Sequence, residues 1–163
     1  RDAISLLLLK LADKEVNFLS TPSYEDDLSS EHERYLTDIY YKYPVIVTQY
    51  PKNVKAFYMP VIGTFETPDG KKIDFVDCFD ILVPNVGELV GGSSRIHKVD
   101  ELETRIEELG LDKDPLQFYI DLRKCGSVLH GGMGMGFERL VKFITFVDSV
   151  RDCVPYPRFY KCK

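Results

Sequence analysis

The spacing of apolar positions changes several times along the chain, and each change predicts a new element. Ile4 and Leu6 to Leu9 crowd the start, so residues 2–12 read as a mostly buried helix. Residues 20–28, Ser20-Thr21-Pro22-Ser23-Tyr24-Glu25-Asp26-Asp27-Leu28, are turn-rich and acidic. Ser30-Glu31-His32-Glu33 has the form of a capping box, a hydroxyl at the helix start with a carboxylate three residues on. It predicts a helix from Glu31 to Lys42, stopped by Tyr43-Pro44 because the residue before a proline avoids helical geometry.

Beyond Pro44 the period shortens. Val45-Ile46-Val47 and Ala56-Phe57-Tyr58-Met59 read as strands, and Asp69-Gly70 is a hairpin-turn signal. It leads into a strand over Lys72–Val83, where Phe75, Asp77 and Phe79 alternate with Val76, Cys78 and Asp80. Another strand is predicted from Gly87 to Ile96. Two helices interrupt the strands. The first has Asp100 as cap, Val99, Leu102, Ile106 and Leu109 as its apolar stripe and Gly110 as its stop. The second opens at Asp114-Pro115 and carries Leu116, Tyr119 and Leu122. A last strand, Ser127–Met135, feeds a helix marked by Phe137, Leu140, Val141, Ile144 and Val147. Hairpin-linked strands with helices grouped late predict an α+β fold, an antiparallel β-sheet flanked by helices, with residues 1–163 as one unit.

Composition narrows the classes. A chain of 163 residues is long enough to bury roughly 70% of its unfolded surface. With 44% hydrophobic and 29% charged residues it is neither a disordered tail nor a disulfide mini-protein. No run approaches the ~18 apolar residues of a membrane-spanning helix, so no membrane partner is expected. The net charge of -5 supplies no overall basic field, which argues against a stand-alone nucleic-acid module, although a local basic face can coexist with an acidic total. Cys78, Cys125, Cys153 and Cys162 form no CxxC, and no histidine stands at zinc-finger spacing from them. Free thiols of this kind fit a reducing cytosol. Position 1 is Arg, and the chain is expected to be a piece of a longer one.

The sharpest local signal is His130-Gly131-Gly132-Met133-Gly134-Met135-Gly136-Phe137-Glu138-Arg139. Gly132, Gly134 and Gly136 share one face of a strand, with Met133 and Met135 on the other. Three glycines on one face weaken a strand, and a flat ligand such as adenine lying against bare backbone would account for them. The spacing is neither the GxGxxG dinucleotide fingerprint nor a P-loop. Arg139 falls in the first turn of the following helix, where free N–H groups and a guanidinium together favour a polyphosphate. Close helix–strand packing with a surface Arg139 would give the same spacing.

Asp80 and Glu88 lie eight apart across Pro84-Asn85, where two carboxylates could hold Mg²⁺ beside substrate phosphates. Asp74 and Asp77 are nearby alternatives, and solvated strand-end acids are the plain reading. Arg95 comes seven residues after Glu88, on the opposite face if alternation is strict. A register slip at Gly91-Gly92 is expected to bring both to one pocket. A guanidinium there offers planar paired donors to a carboxylate or carbonyl.

Together these segments resemble the C-terminal half of the catalytic domain of class II aminoacyl-tRNA synthetases, in the aspartyl/asparaginyl branch. His130 to Arg139 resembles motif 3 of that family, within about residues 127–147, and Val86 to Arg95 resembles the strand before it. Asp27 to Arg34, Tyr50 to Met59 and Arg151 to Arg158 are similar to the asparaginyl enzymes, and Gly91 leans the same way where aspartyl enzymes carry serine. The resemblance implies that Arg139 stacks on adenine and meets the γ-phosphate. It further implies that Gly136, Phe137 and Glu138 line the ATP site, and that Glu88 binds Mg²⁺ and ATP with Asp80 as companion. Arg95 would bind the side-chain carbonyl of the amino acid, with Gly91 beside it, and His130 would order the glycine strand.

Motifs 1 and 2 and the anticodon-binding domain have no counterpart here, which implies a longer parent. That parent would be a cytoplasmic homodimer joining asparagine to tRNA(Asn) through an adenylate, and the piece alone is expected to be inactive. Two other readings stay open. One is an asparagine synthetase-like paralogue that amidates aspartate, and the other is a non-catalytic scaffold of synthetase type. Arg95 only donates hydrogen bonds, so it does not by itself separate asparagine from aspartate.

Overall fold

The computed structural model describes residues 1–158. Helix α1, Asp2–Ala12, buries Ile4 and Leu7 and packs Leu7 against Tyr35 and Leu36. Helix α2, Ser30–Arg34, starts one residue earlier than its sequence pattern suggests. Ser29, not Ser30, is the cap, and its hydroxyl accepts from the His32 N–H. The expected carboxylate is replaced by an imidazole: His32 Nδ1 accepts from the Ser29 N–H at 3.2 Å. His32 is 2% exposed, and its Nε2 donates to the Ser20 carbonyl at 2.8 Å. Glu31 meanwhile accepts from the Leu19 and Ser20 N–H groups. The predicted helix does not continue as α-helix to Lys42. From Tyr35 to Tyr40 it widens to a π-helix, and the Tyr41 N–H reaches back to the Leu36 carbonyl.

The strands form two sheets. Strands β1 (Val45–Thr48), β4 (Cys78–Val83), β5 (Gly87–Ser94) and β6 (Gly131–Met135) make an antiparallel sheet in the order β1-β4-β5-β6. Strands β2 (Val61–Glu66) and β3 (Lys72–Val76) form a separate hairpin, closed at Asp69-Gly70 with Gly70 at φ +84. The continuous strand expected over Lys72–Val83 is therefore two strands, β3 and β4, in different sheets. Ala56–Met59 is a turn rather than a strand, closed by the Met59 N–H on the Ala56 carbonyl. The last strand is shorter than predicted, and β5 ends at Ser94.

Helices α3 (Val99–Glu108) and α4 (Gln117–Lys124) form an insertion between β5 and β6. Its core is Ile96, Leu102, Ile106 and Ile120, with Phe57 and Tyr119 packed against it. Lys98 rather than Asp100 occupies the cap of α3, and Asp100 lies in its first turn. Asp114-Pro115 opens a 3₁₀ turn that precedes α4. Helix α5, Phe137–Thr145, ends at Phe146 in the left-handed conformation and packs Leu140 and Phe143 onto Val83, Leu89 and Val90. Strand β6 lies at the sheet margin with every residue exposed, Met133 at 71%. Cys78, Cys125 and Cys153 are free thiols, and Cys162 lies outside the described residues. Among the described residues no helix is long and apolar enough to cross a membrane.

The doubly used Ser29–His32 cap yields a direct test. Ser29→Ala removes the acceptor for the His32 N–H and is expected to cost about 1 kcal/mol of stability, read by urea denaturation of the full chain.

Candidate active site

Register within the four-stranded sheet decides which side chains meet. Ile81 pairs with Val90 and Leu82 with Glu88, so Leu89 is the extra residue of a β-bulge. Alternation slips by one there, which turns Glu88 onto the face of Asp80 and Gly91. The slip expected at Gly91-Gly92 thus occurs at Leu89, and from Gly91 onward the alternation to Arg95 is unbroken. A methyl group added to Gly91 would meet Glu88 Oε1 at 2.7 Å and Asp80 Oδ1 at 3.2 Å. The two carboxylates therefore converge over the bare Cα of Gly91. The other candidates, Asp74 and Asp77, are engaged elsewhere: Asp74 accepts from Thr64 and Asp77 from the Ser94 hydroxyl.

Gly91 pairs with Gly134, so the glycine face of β6 continues this surface. The three glycines are not equivalent. A Cβ on Gly132 would lie 3.0 Å from Arg95 Nη2, and one on Gly136 would lie 3.2 Å from Arg139 Cδ. Only Gly134 faces open space. Two of the glycines thus make room for the Arg95 guanidinium and the Arg139 stem, and uncovered backbone remains between them. Arg139, in the first turn of α5, reaches back to β5, where its Nη1 donates to the Glu88 carbonyl and stands 3.8 Å from Glu88 Oε2. Phe137 is largely exposed beside it, and Gly136 caps the helix without a side-chain acceptor.

Lys55, just before the turn at Ala56–Met59, and Tyr58 within it touch the candidate site residues, which sequence reasoning missed. Lys55 donates to Asp80 at 2.9 Å, lies 3.5 Å from Asp27 and sits 3.8 Å above the Tyr50 ring. Burial works against its ammonium, but the Asp80 and Asp27 carboxylates outweigh that and raise its pKa. Burial, followed by the Asp80 charge, pushes the Tyr50 hydroxyl well above its ordinary range. Lys55 engages Asp80 Oδ2, which leaves Oδ1 to face Gly91. Tyr58 lies under Arg95, whose Cζ is 4.2 Å from the ring centroid. A basic residue and a tyrosine three apart beside a proline turn were the only available signal, and strand-like alternation masked it.

Glu33 completes the acidic side. Its carboxylate lies against Gly87 at φ +88, where any Cβ would stand 2.9 Å from Oε2, and it accepts the Glu88 backbone N–H. Burial first, then the Glu88 charge, raises its pKa. Among the described residues no cluster of three or more His, Cys, Asp or Glu side chains holds a metal by itself.

A family model described as tRNA synthetases class II (D, K and N) matches residues 2–160. The chain belongs to this family. Within it, the sequence is 44% identical over 159 residues to asparagine–tRNA ligase, cytoplasmic 3, of Arabidopsis thaliana, covering 97% of this chain and 26% of that relative. It is 45% identical over 157 residues to the asparagine–tRNA ligase of Yersinia enterocolitica, covering 96% of this chain and 31% of the relative. The structure is similar to Entamoeba histolytica asparaginyl-tRNA synthetase in complex with asparaginyl-adenylate, with a TM-score of 0.80 and 37% identity. That match covers 97% of this chain and 34% of the solved one. The chain spans about a quarter to a third of the length of these relatives. The paired carboxylates, the glycine strand and its two arginines are thus read within a class II synthetase scaffold.

Two outcomes follow for this synthetase surface. In Gly91→Ala the new methyl displaces the flexible end of Glu88 instead of rigid backbone. The denaturation midpoint should therefore stay near that of the parent, because the Glu88 side chain swings aside, read by urea denaturation of the full chain. Because the fold raises the Glu33 pKa, it favours the protonated form, and stability falls as pH rises through the window between the ordinary and the raised value. Glu33→Gln keeps an acceptor without the charge and should flatten that fall in a denaturation series from about pH 4 to 7.

Proposed function

We propose that this chain is the part of an asparagine–tRNA ligase that holds ATP and asparagine. The ligase would form asparaginyl adenylate and pass the asparaginyl group to tRNA(Asn). The observation that carries the reading is the single sheet face on which Asp80 and Glu88 converge over Gly91, between Arg95 at one end and Arg139 at the other. Relatives named asparagine–tRNA ligase, and a solved neighbour holding asparaginyl-adenylate, support asparagine as the substrate.

Each residue then has a physical task. The uncovered backbone at Gly134 accepts a flat base without steric cost. Arg139, at the N-terminus of α5, adds its guanidinium to the helix dipole and neutralises the polyphosphate beside Gly136, Phe137 and Glu138. Arg95 presents paired donors to the side-chain carbonyl of asparagine. Glu88 and the free oxygen of Asp80 are the hard donors suited to Mg²⁺, which prefers one or two carboxylates plus substrate phosphates. When bound there, the ion supplies charge compensation to the phosphates. Lys55 keeps Asp80 turned toward Gly91, and Glu33 holds the backbone of Glu88. Positioning and electrostatics of this kind favour attack of the asparagine carboxylate on the α-phosphate and release of pyrophosphate.

The greater length of the relatives supports a longer parent that carries the tRNA-binding parts, and the name of the Arabidopsis thaliana relative supports a cytoplasmic location; that parent would be a homodimer. In that full-length protein Arg139→Ala is expected to lower asparagine-dependent ATP–pyrophosphate exchange by more than about a hundredfold. Near-normal exchange would remove Arg139 from the site and the reading with it.

A further inference from the structure

Arg123 is a charged side chain that the proposed mechanism leaves unused, and it is 6% exposed. It has no carboxylate partner among the described residues. Burying a guanidinium without a counter-charge is expensive, so its contacts need a purpose. From α4 its Nη1 donates to the Tyr119 carbonyl at 3.2 Å, and its Nε donates to the Ile96 carbonyl, also at 3.2 Å. Ile96 directly follows Arg95. Its Nη2 lies 3.3 Å from His130 Nε2, at the head of the glycine strand. Arginine cannot accept a hydrogen bond, so His130 Nε2 is the acceptor and its proton sits on Nδ1. Nδ1 in turn donates to the Val128 carbonyl at 2.8 Å.

Both branches of this network lead to Arg95. Through the backbone, the Arg95 N–H donates to the His130 carbonyl at 3.0 Å. Through the rings, Arg123 stacks on Tyr119 at 3.7 Å and Tyr119 meets Phe57 edge-on at 5.9 Å. Phe57 meets Tyr58 at 5.4 Å, and Tyr58 lies beneath the Arg95 guanidinium. We propose that Arg123 is a positioning residue for Arg95, acting through His130 and through the Tyr119–Phe57–Tyr58 stack. It sets the affinity for the amino acid without touching it. The planar fork explains why arginine stands here, since one group ties α4, the end of β5 and the start of β6 together. This inference rests on the reading that Arg95 binds the substrate side chain.

The test uses ATP–pyrophosphate exchange by the full-length chain. Arg123→Met is expected to raise KM for asparagine about tenfold while KM for ATP stays within about twofold. His130→Leu cuts only the first of the two paths and should raise KM for asparagine by a smaller factor, again with KM for ATP little changed. His130→Gln, whose carbonyl still accepts from Arg123, should keep the parental value. The double variant Arg123→Met/His130→Leu should be no worse than Arg123→Met alone, because Arg123→Met already cuts the path through His130. Equal changes in both KM values, full additivity or an unchanged KM for asparagine overturns the proposal. If Arg123→Met does not fold, Tyr119→Leu interrupts the ring path and is judged by the same ratio. Should the parent activate a different amino acid, the ratio is read with that amino acid: the asparagine reading is then lost and the role of Arg123 is still decided.

Discussion

Insertion of Leu89 into β5, where Ile81 pairs with Val90 and Leu82 with Glu88, places Glu88 on the same face as Asp80 and Gly91. In a regular strand Glu88 would lie on the opposite face of the sheet, and Asp80 alone would remain on the surface that the arginines border. The bulge turns the acid inward at the cost of a lost ladder position, and α5 covers the displaced Leu89 with Leu140 and Phe143. Gly87 and Glu33 brace the strand just before the slip, and this bracing needs a glycine because any side chain there would strike the Glu33 carboxylate.

Two cations, the largely buried Lys55 and the exposed Arg139, keep the acids that meet here compatible. Asp27 and Asp80 share Lys55, while Glu88 has Arg139 against its backbone and near its carboxylate. Glu33 is half-buried beside the Glu88 charge, and burial first and that charge second raise its pKa. The division of labour is physical: compact Lys55 reaches a carboxylate as a point charge, while the Arg95 guanidinium lies against Gly132 and the Arg139 guanidinium turns to the Glu88 carbonyl.

Much of this was legible in the chain. The helical stripe of α3, the stop at Gly110, the hairpin at Asp69-Gly70 and the glycine strand follow from local patterns, because periodicity and turn chemistry act over a few residues. The resemblance named the residues that converge on the site. What could not be read was relational. Two adjacent serines left the cap ambiguous, and the choice of Ser29 freed Glu33 for the site. The apolar alternation from Lys72 to Val83 hid a change of sheet at Asp77, since a strand leaving one sheet for another keeps its period. The turn at Ala56–Met59 looked like a strand because its aromatic residues face a helical insertion far along the chain. The location of the bulge depends on which neighbour each residue finds, and spacing alone contains no such information.

The Arg95 guanidinium lies over Gly132 on β6 and the Arg139 stem over Gly136, just past the end of that strand and four residues on. At ~3.3 Å per residue their anchor points stand about 13 Å from each other. Between them only the backbone at Gly134 faces open space, so on this face the chain offers a bare, flat step bordered by two arginine side chains.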